Sequence, residues 1–487
     1  MLAPLEDRRR QIRHQSEGRG AAVVETIVDE APGLSVRRRW LVLVICASAL
    51  FLVGLDTTIV TVGLSHIGAG LGAEPGSLSW VVDAYTVVFA SLLITSGALA
   101  DRFGRRRVFQ TGLVVFGAAS LLCAAAGDLP VLIAGRALQG IGASMLSPVA
   151  LAIVVNAMPD PKERAQAIGV WGAMFGLSMA AGPVVGGALI TAFDWRAVFW
   201  VNAPVVLLAL VLVAALVPES RGRRIRRIDL PGQLLLIVVL GLAVALLIEA
   251  PGLGWTSPVV LAGFGVLAVL VWVFVWVESR RREPLIDPGL FRVPSFTGAI
   301  LGAVAVFVAF SMTLLMTTLF LQDAQGWAPL AAGAATLPMA FGATVFAPVS
   351  GFMVGRTGPQ LPLLLAGTLI LAGGLCLITL TGGMNVPALL MAYLLIGTGI
   401  GFANAPITNT AVSGLPPERA GVAGGTASTA RQLGTAIGIA LAGTLIAGVS
   451  PDRFAAASLP GWIIITACGG LLLAVGTLTR HREAAPA

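Results

Sequence analysis

The sequence predicts an all-α integral membrane protein with fourteen transmembrane helices, arranged as two six-helix bundles plus an inserted helix pair. Of its 487 residues, 57% are hydrophobic and only 11% are charged, whereas a soluble domain has about 25% charged residues. Between residues 40 and 480, short charged or turn-rich breaks separate apolar segments, each about as long as the 20 residues that an α-helix needs to cross a bilayer. Strands of a membrane barrel would be only about 10 residues long.

The predicted helices begin after residues 1–36, a polar segment that carries both signs of charge and is expected to be a disordered cytoplasmic tail. Charged residues, glycines or prolines interrupt the apolar sequence between each helix and the next. In chain order, the helices are expected at residues 40–64, 80–100, 107–127, 130–156, 164–190, 197–218, 229–249, 258–278, 296–320, 330–354, 360–381, 386–411, 420–447 and 460–480.

The distribution of basic residues predicts which side of the membrane each loop faces. With both termini inside, 27 of the 31 Lys and Arg residues fall in inner segments, and only Arg196 and Arg453 fall in outer loops. Because cytoplasmic loops retain the excess of Lys and Arg, both termini are expected in the cytoplasm. The net charge of +7 then matches anionic membrane lipids and gives no reason to expect a nucleic-acid partner.

An internal repeat divides the predicted helices into two sets of six. The segment from Gly97 to Gly104 follows the second helix, and a similar segment from Gly351 to Gly358 follows the tenth. Parallel six-helix repeats around a central site are a known transporter architecture. The expected domains are an N-terminal six-helix bundle at 37–220, an inserted two-helix segment with cytoplasmic linkers at 221–295, a C-terminal six-helix bundle at 296–480 and a cytoplasmic tail at 481–487.

Several enzyme classes are disfavoured because the residues that they require are missing from the chain or lie far apart in the sequence. Its only lysine, Lys162, is followed by Glu163, so no phosphate-binding GxxxxGK[ST] loop exists and the chain is not itself a P-loop ATPase. The four cysteines lie singly in different apolar segments, and the three histidines are scattered. Neither a disulfide framework nor a metal site is expected, and no cofactor is predicted.

Four ionisable residues within predicted helices are candidates for function, because a charge at the centre of a membrane helix costs about 2.5–3.5 kcal/mol on insertion scales. They are Asp56, Asp83, Arg136 and Arg431, and no intramembrane acid is expected in the second half. The first three are expected in the outer half of the membrane. Alternatively, Asp83 is an interfacial residue wetted by headgroups, and Arg136 is a structural partner of one of the acids. Arg431, near mid-membrane, is expected either to bond backbone carbonyls or to meet an acid, water or substrate across a cavity.

Five short segments resemble those of a known family. Gly97-Ala-Leu-Ala-Asp101-Arg102-Phe-Gly104 with Arg105, Arg136-Ala-Leu-Gln139-Gly140, and Gly182-Pro183-Val-Val-Gly186-Gly187 resemble three signatures of the major facilitator superfamily, the last of them associated with antiporters. Leu55-Asp56-Thr57-Thr58 and Trp80-Val-Val-Asp83-Ala-Tyr85 resemble the opening of its fourteen-helix drug:proton antiporter branch. The resemblance adds Gln139 to the four candidates for proton coupling and substrate binding.

The same segments supply candidates for gating and helix packing. Glycines let helices approach closely or turn tightly, and Pro183 should bend the fifth helix because it removes a backbone hydrogen bond; kinked packing without a gating role is the alternative. Asp101 and the arginines after it are expected to form a charge cluster, in which the positive N-terminus of another helix could bind the carboxylate. The complete set is Gly97, Asp101, Arg102, Gly104, Arg105, Gly182, Pro183, Gly186 and Gly187.

Residues and resemblance together predict a proton-coupled secondary active exporter of amphiphilic drugs or antibiotics, in which a proton and a cationic substrate compete for the same carboxylates. A proton-coupled metabolite symporter or importer of the same superfamily is the alternative, disfavoured by the antiporter signature. A membrane-embedded enzyme is a third reading, disfavoured because no long loop collects acids and histidines. The expected partners are the small-molecule substrate, protons and membrane lipids. The expected setting is a bacterial plasma membrane, with the protein as a monomer.

Overall fold

The computed structural model describes residues 35–221, 229–281, 283–382, 385–412, 417–446, 449–450 and 453–479. The two predicted cytoplasmic tails lie almost wholly outside these ranges, as does most of the linker before the seventh helix. Within the described ranges the chain forms helices and turns and no β-strand, so the all-α prediction is confirmed there. Contacts group the chain into Met1–Leu41 and a second compact unit, Val42–Ala487, which contains every site discussed below.

Each segment predicted to cross the membrane is helical. The helices are α1 (Val36–Leu71), α2 (Ser79–Phe103), α3 (Arg105–Ala124), α4 (Leu129–Ala157), α5 (Pro161–Ala192), α6 (Ala197–Leu216), α7 (Leu230–Leu253), α8 (Pro258–Arg280), α9 (Pro294–Leu319), α10 (Pro329–Thr357), α11 (Gln360–Ile378), α12 (Val386–Val412), α13 (Pro417–Ile446) and α14 (Leu459–Thr479). A π-helical turn, Phe320–Ala324, extends α9, so the predicted end at residue 320 is too early.

Twelve of these helices are long and apolar enough to cross a membrane by length and composition. The other two are α5, whose apolar part is the shorter segment Gly176–Ala192, and α13. Glycine, threonine and serine make up much of α13, and Arg431 and Gln432 lie within it, so its mean hydropathy is low. The number of fourteen membrane spans therefore stays a prediction, as does the division into two bundles and an inserted pair.

Capping residues account for several helix ends. The side chains of Asp128, Asp229 and Ser257 accept a backbone hydrogen bond at the starts of α4, α7 and α8, which satisfies an otherwise unpaired N–H group. Gly104 ends α2 with a φ of 109°, and Gly358 ends α10 with a φ of 76°. Both angles favour glycine. The two copies of the sequence repeat thus end in the same kind of glycine turn.

Burial separates central helices from peripheral ones. In the most apolar window of α9, 89% of residues are buried inside the protein, against 6% for α8. The outward face of α8 carries large apolar side chains such as Trp272 and Val266. Since lipid tails are as apolar as these side chains, α8 suits a position at the edge of the protein, facing lipid.

Close packing joins α5 to α1 and α10. A Cβ built on Gly182 would overlap the Thr58 hydroxyl of α1, and one on Gly187 would lie 2.7 Å from the Leu330 Cα of α10. A Cβ on Gly186 would lie 2.7 Å from Ile59 Cγ1. At Gly97, by contrast, a Cβ would meet no atom within 4 Å, so the close helix approach expected there is absent from this conformation.

Helix α7 packs against both α2 and α13. Gln233 near its start donates to the Ser91 carbonyl of α2 (2.9 Å), and Glu249 near its end accepts from Trp80 Nε1 (3.0 Å). From α13, the Thr444 hydroxyl donates to the Leu247 carbonyl (2.7 Å). Between these contacts lies an apolar cluster formed by all three helices. One helix of the predicted inserted pair therefore bridges a helix of each predicted bundle.

Candidate functional site

A buried polar cluster surrounds Asp56 at the junction of α1, α3, α4 and α6. Arg136 Nη1 donates to Asp56 Oδ2 (2.5 Å), while Gln139 Nε2 (3.2 Å) and Asn202 Nδ2 (3.0 Å) donate to Asp56 Oδ1. All four side chains have 0% exposure. We call Asp56, Ser120, Arg136, Gln139 and Asn202 the Asp56 cluster. The Asp56 carboxylate thus interacts with one cation and two amides, and none of these side chains is exposed to solvent.

The guanidinium of Arg136 is held from several sides. Its Nε donates to the Val81 carbonyl of α2 (2.8 Å), and its Cζ lies 4.3 Å from the ring centroid of Tyr85 and 6.0 Å from that of Phe199. Arg136 and Gln139 are three residues apart and therefore share one face of α4. Arg136 Nη2 has no hydrogen-bond partner in the part of the chain that the structure describes. The side chain is therefore held by contacts other than Asp56, and the N–H groups of Nη2 are unused there.

Two members of the Asp56 cluster were not predicted as site residues. Ser120 Oγ accepts from Gln139 Nε2 (2.7 Å) and from Asn202 Nδ2 (3.2 Å), so it orients both amides toward Asp56. Asn202 of α6 donates to Asp56 directly. An amide at the apolar start of α6 is unusual but does not indicate which residue it faces, and Ser120 has no feature that distinguishes it from the other serines of the membrane helices.

Asp83 lies apart from the Asp56 cluster, and its environment corrects one expectation. Its side chain is fully buried, so the alternative of an interfacial residue wetted by headgroups is wrong. Helical spacing places it on the same face of α2 as Ser79, Val87 and Ala90, and Val87 and Ala90 pack in the cluster with α7 and α13. Within the described ranges, neither oxygen of the Asp83 carboxyl group has a hydrogen-bond partner.

Arg431 does not join either acid. Its Nη2 donates to the Thr408 hydroxyl of α12, and its Nε is buried without a hydrogen-bond partner among the described residues. A threonine hydroxyl therefore takes the place of the expected backbone carbonyl or acid, while water or substrate as a partner across a cavity stays a prediction. Arg431 therefore links α12 to α13 and leaves one donor available.

Two cavities lie near α1. A void of about 10 Å³, roughly the room that one water needs, is bordered by hydroxyl groups of Thr57, Thr61, Ser311 and Thr435. A larger cavity of about 280 Å³ lies between the ends of α1, α2, α9 and α13. Asp323 lines it and accepts from Ser65 Oγ (3.2 Å). Asp323 is exposed and lies in the π-helical turn beyond the predicted end of α9, so the expectation that the second half has no intramembrane acid stays a prediction.

A charge cluster lies where α2 meets α3, as expected, but its bonds differ from those expected. Asp101 pairs with Arg105 (Nη2 to Oδ1, 3.0 Å). The N-terminus of α3 does bind a carboxylate, yet it is Glu219, which accepts from the backbone N of Arg106 (3.0 Å). Gly104 leaves room for this carboxylate, since a Cβ there would lie 2.7 Å from Glu219 Cδ. The cluster therefore ties the end of α6 to the α2–α3 turn.

Comparison with known proteins gives one family and many relatives. The model of the Major Facilitator Superfamily matches residues 46–439. The chain is 38% identical to the multidrug resistance protein Stp of Mycobacterium tuberculosis over 84% of its own length and 76% of that protein. It is 39% identical to a puromycin resistance protein of Streptomyces alboniger (85% and 83% covered) and 36% identical to the tetracenomycin C resistance and export protein of Streptomyces glaucescens (89% and 81% covered).

Proposed function

Because the chain belongs to the Major Facilitator Superfamily, we propose that it is a proton-coupled antiporter that exports amphiphilic drugs or antibiotics across a bacterial plasma membrane. Its relatives are bacterial resistance and efflux proteins, so the chain is a membrane transporter of small molecules rather than an enzyme. The observation that carries the proposed coupling is the buried ion pair between Asp56 and Arg136.

The Asp56 cluster suits a carboxylate that alternates between a cation and a proton. A buried charge without a partner is costly, so Asp56 stays charged only while Arg136 compensates it. A proton on Asp56 would remove the attraction, yet Arg136 would keep its bond to the Val81 carbonyl and its contact with Tyr85. The pair between α1 and α4 can therefore break without leaving the guanidinium unsupported, and a cationic substrate would compete for the same carboxylate.

Asp83 is proposed as a second proton-binding group. A carboxylate buried without hydrogen bonds is far less stable than its neutral form, so Asp83 should hold a proton in this conformation. It lies on the face of α2 that packs against α7 and α13. Separation of these helices would hydrate Asp83 and allow its proton to leave.

The Asp323 cavity supports an amphiphilic substrate. Leu64, Leu315, Leu319 and Phe454 give it apolar walls, and Asp323 contributes a negative charge. This combination favours a molecule with an apolar body and a positive or hydrogen-bonding group. In the orientation predicted from the basic residues, with both termini cytoplasmic, the cavity opens on the outer side, where an exported substrate would leave. Membrane lipids are expected to surround a monomer.

Transport in inverted membrane vesicles tests the function and its alternative together. With an acidic lumen and no ATP, an antiporter should accumulate substrate in the lumen as protons leave, whereas a symporter should carry substrate outward with the protons. A panel of labelled lipophilic cations, anions and neutral antibiotics supplies the substrates. Vesicles with a collapsed gradient and vesicles that lack the protein are the controls. Dependence on added nucleotide would contradict the proposal.

Asp101→Asn is expected to lower the maximal export rate by about 1.5- to 5-fold, because a partly exposed ion pair is worth about 0.2–1 kcal/mol. Substrate affinity should stay unchanged, since Asp101 bonds to Arg105 at the α2–α3 turn and belongs to neither cavity. Concentration dependence of flux separates rate from affinity. Asp128→Asn is the matched control, because asparagine caps a helix as well as aspartate does. Weakened affinity at an unchanged rate would exclude a gating role.

A further inference from the structure

A second pair of buried carboxyl groups lies in the predicted inserted helix pair. Asp229 precedes α7, and Glu278 lies in the last turn of α8. The side chain of Asp229 is 6% exposed, and Glu278 is 1% exposed. Neither residue belongs to the Asp56 cluster or lines the cavities described above. Two acids this deeply buried require a partner that stabilises them.

One oxygen of each carboxyl group accepts a hydrogen bond from the backbone, and the other oxygen accepts none from the described residues. Asp229 Oδ1 accepts from the backbone N of Gly232 (3.0 Å), and Glu278 Oε2 accepts from that of Ile286 (3.0 Å). Among the residues that the structure describes, the remaining atoms, Asp229 Oδ2 and Glu278 Oε1, are buried without a hydrogen-bond partner. Both converge on Gly232: a Cβ built there would lie 2.9 Å from Asp229 Oδ2 and would overlap Glu278 Oε1.

We propose that Asp229 and Glu278 bind one proton between them, carried by Glu278 Oε1 and donated to Asp229 Oδ2. Two adjacent carboxyl groups do not both ionise readily, because the second negative charge is repelled by the first. As two carboxylates, both atoms would lack a hydrogen-bond donor within the described part of the chain, since Arg281 Nε, at 3.7 Å from Asp229 Oδ2, is beyond hydrogen-bond distance. A single proton gives each of them a partner, and it leaves Glu278 Oε2 as the carbonyl oxygen that accepts from Ile286.

The surrounding charges decide which group carries the proton. Asp229 lies at the N-terminus of α7, where the helix dipole favours a negative charge, and Arg281 Nε lies 3.7 Å from its Oδ2. Arg280 stacks on Trp276 instead, and Asp287 accepts from Gly289 in the next turn. α2 and α13 face this part of the protein with uncharged residues such as Thr95 and Ala436. Asp229 is therefore the charged member and Glu278 the neutral one.

The shared proton would stabilise the position of the linker between α8 and α9. Glu278 binds the backbone of Ile286, and Leu285 and Ile286 pack into the apolar cluster of α2, α7 and α13. Loss of the proton would place two negative charges side by side beneath this cluster. The linker should then loosen as pH rises. The pair would thus be a pH-sensitive contact that stabilises the linker, and its proton is distinct from the protons proposed for transport.

Infrared spectroscopy of the purified full chain tests for the proton directly. At neutral pH, the wild-type protein should show the carbonyl band of a protonated carboxyl group, and Glu278→Gln should lack one such contribution. Glu283→Gln, a change at an exposed acid of the same linker, should leave the band intact. An identical band in the wild type and in Glu278→Gln would overturn the proposal. Loss of the band on addition of a metal cation, which would show that the pair binds the cation instead of a proton, would overturn it as well.

Thermal unfolding provides a second readout. From mildly acidic to mildly alkaline pH, the midpoint of thermal unfolding of the wild-type protein should fall, since the folded pair loses its shared proton. The Glu278→Gln amide can donate to Asp229 permanently, so this part of the pH dependence should disappear. If Glu278→Gln does not fold, Asp229→Asn replaces it, because asparagine keeps the helix cap and can donate to Glu278. Unchanged pH dependence in the variant that folds would overturn the proposal.

Discussion

Asp56→Asn is expected to reduce proton-driven export to background while a neutral substrate still binds, now without pH dependence. Asparagine keeps the shape of aspartate and can still bond to Gln139 and Asn202, but it cannot exchange a proton. For a cationic substrate, binding should weaken as well, because the negative charge is lost. Flux in vesicles with an imposed pH gradient, together with equilibrium binding at two pH values, measures both effects.

Two comparisons keep this result interpretable. Asp56→Asn leaves Arg136 buried and unpaired, so the double variant Asp56→Asn/Arg136→Gln, which removes both charges, is needed to separate lost coupling from lost stability. Asp83→Asn should have the milder effect, since it replaces a neutral carboxyl group by a neutral amide. Intact proton-driven export in Asp56→Asn, combined with lost export in Asp83→Asn, would reverse the assignment and make Asp83 the principal proton carrier.

Arg136→Gln is expected to lower the free energy of unfolding by about 3–5 kcal/mol at neutral pH, the usual cost of breaking a buried ion pair from one side. The cost arises because Asp56 keeps a charge that no cation balances. Protonation of Asp56 removes that charge, so the variant should recover stability as pH falls. Denaturation in detergent, followed at several pH values, measures this slope.

The double variant Asp56→Asn/Arg136→Gln should regain stability at neutral pH but not export. Such a pattern would separate the structural role of the pair from its role in coupling. If Arg136→Gln were as stable as the wild type at neutral pH, with no dependence on pH, the ion pair would not be holding Asp56 in its charged form. The proposed exchange of Arg136 for a proton would then fail.

The helical fold and the pairing of a buried acid with a buried base could be predicted from the sequence for the same reason. Hydrocarbon penalises charge, so long apolar segments mark helices, and a charge such as Asp56 or Arg136 within them indicates a compensating partner. Hydropathy does not locate helix ends with the same accuracy. Placing the end of α9 at residue 320 moved Asp323 into a loop and hid the acid of the larger cavity.

Other parts of the site depend on contacts between distant segments and have no local signal. Ser120 and Asn202 are neutral, and neutral polar residues are common in membrane helices, so neither indicates that it faces Asp56. Glu219 follows the end of α6, and only the folded chain brings it to the turn at Gly104. The partner of Arg431 was missed because a threonine hydroxyl on α12 is one of many possible acceptors.

The complete burial of the Asp56 cluster has a consequence for the leakage of protons across the membrane. Asp56, Gln139 and Asn202 have no exposed surface, so a proton cannot exchange with bulk water in this conformation. If Asp56 carries the proton that we propose, each exchange must await an opening of the helices. A cell that keeps this protein in its membrane without any drug present should therefore lose little of its proton gradient through it.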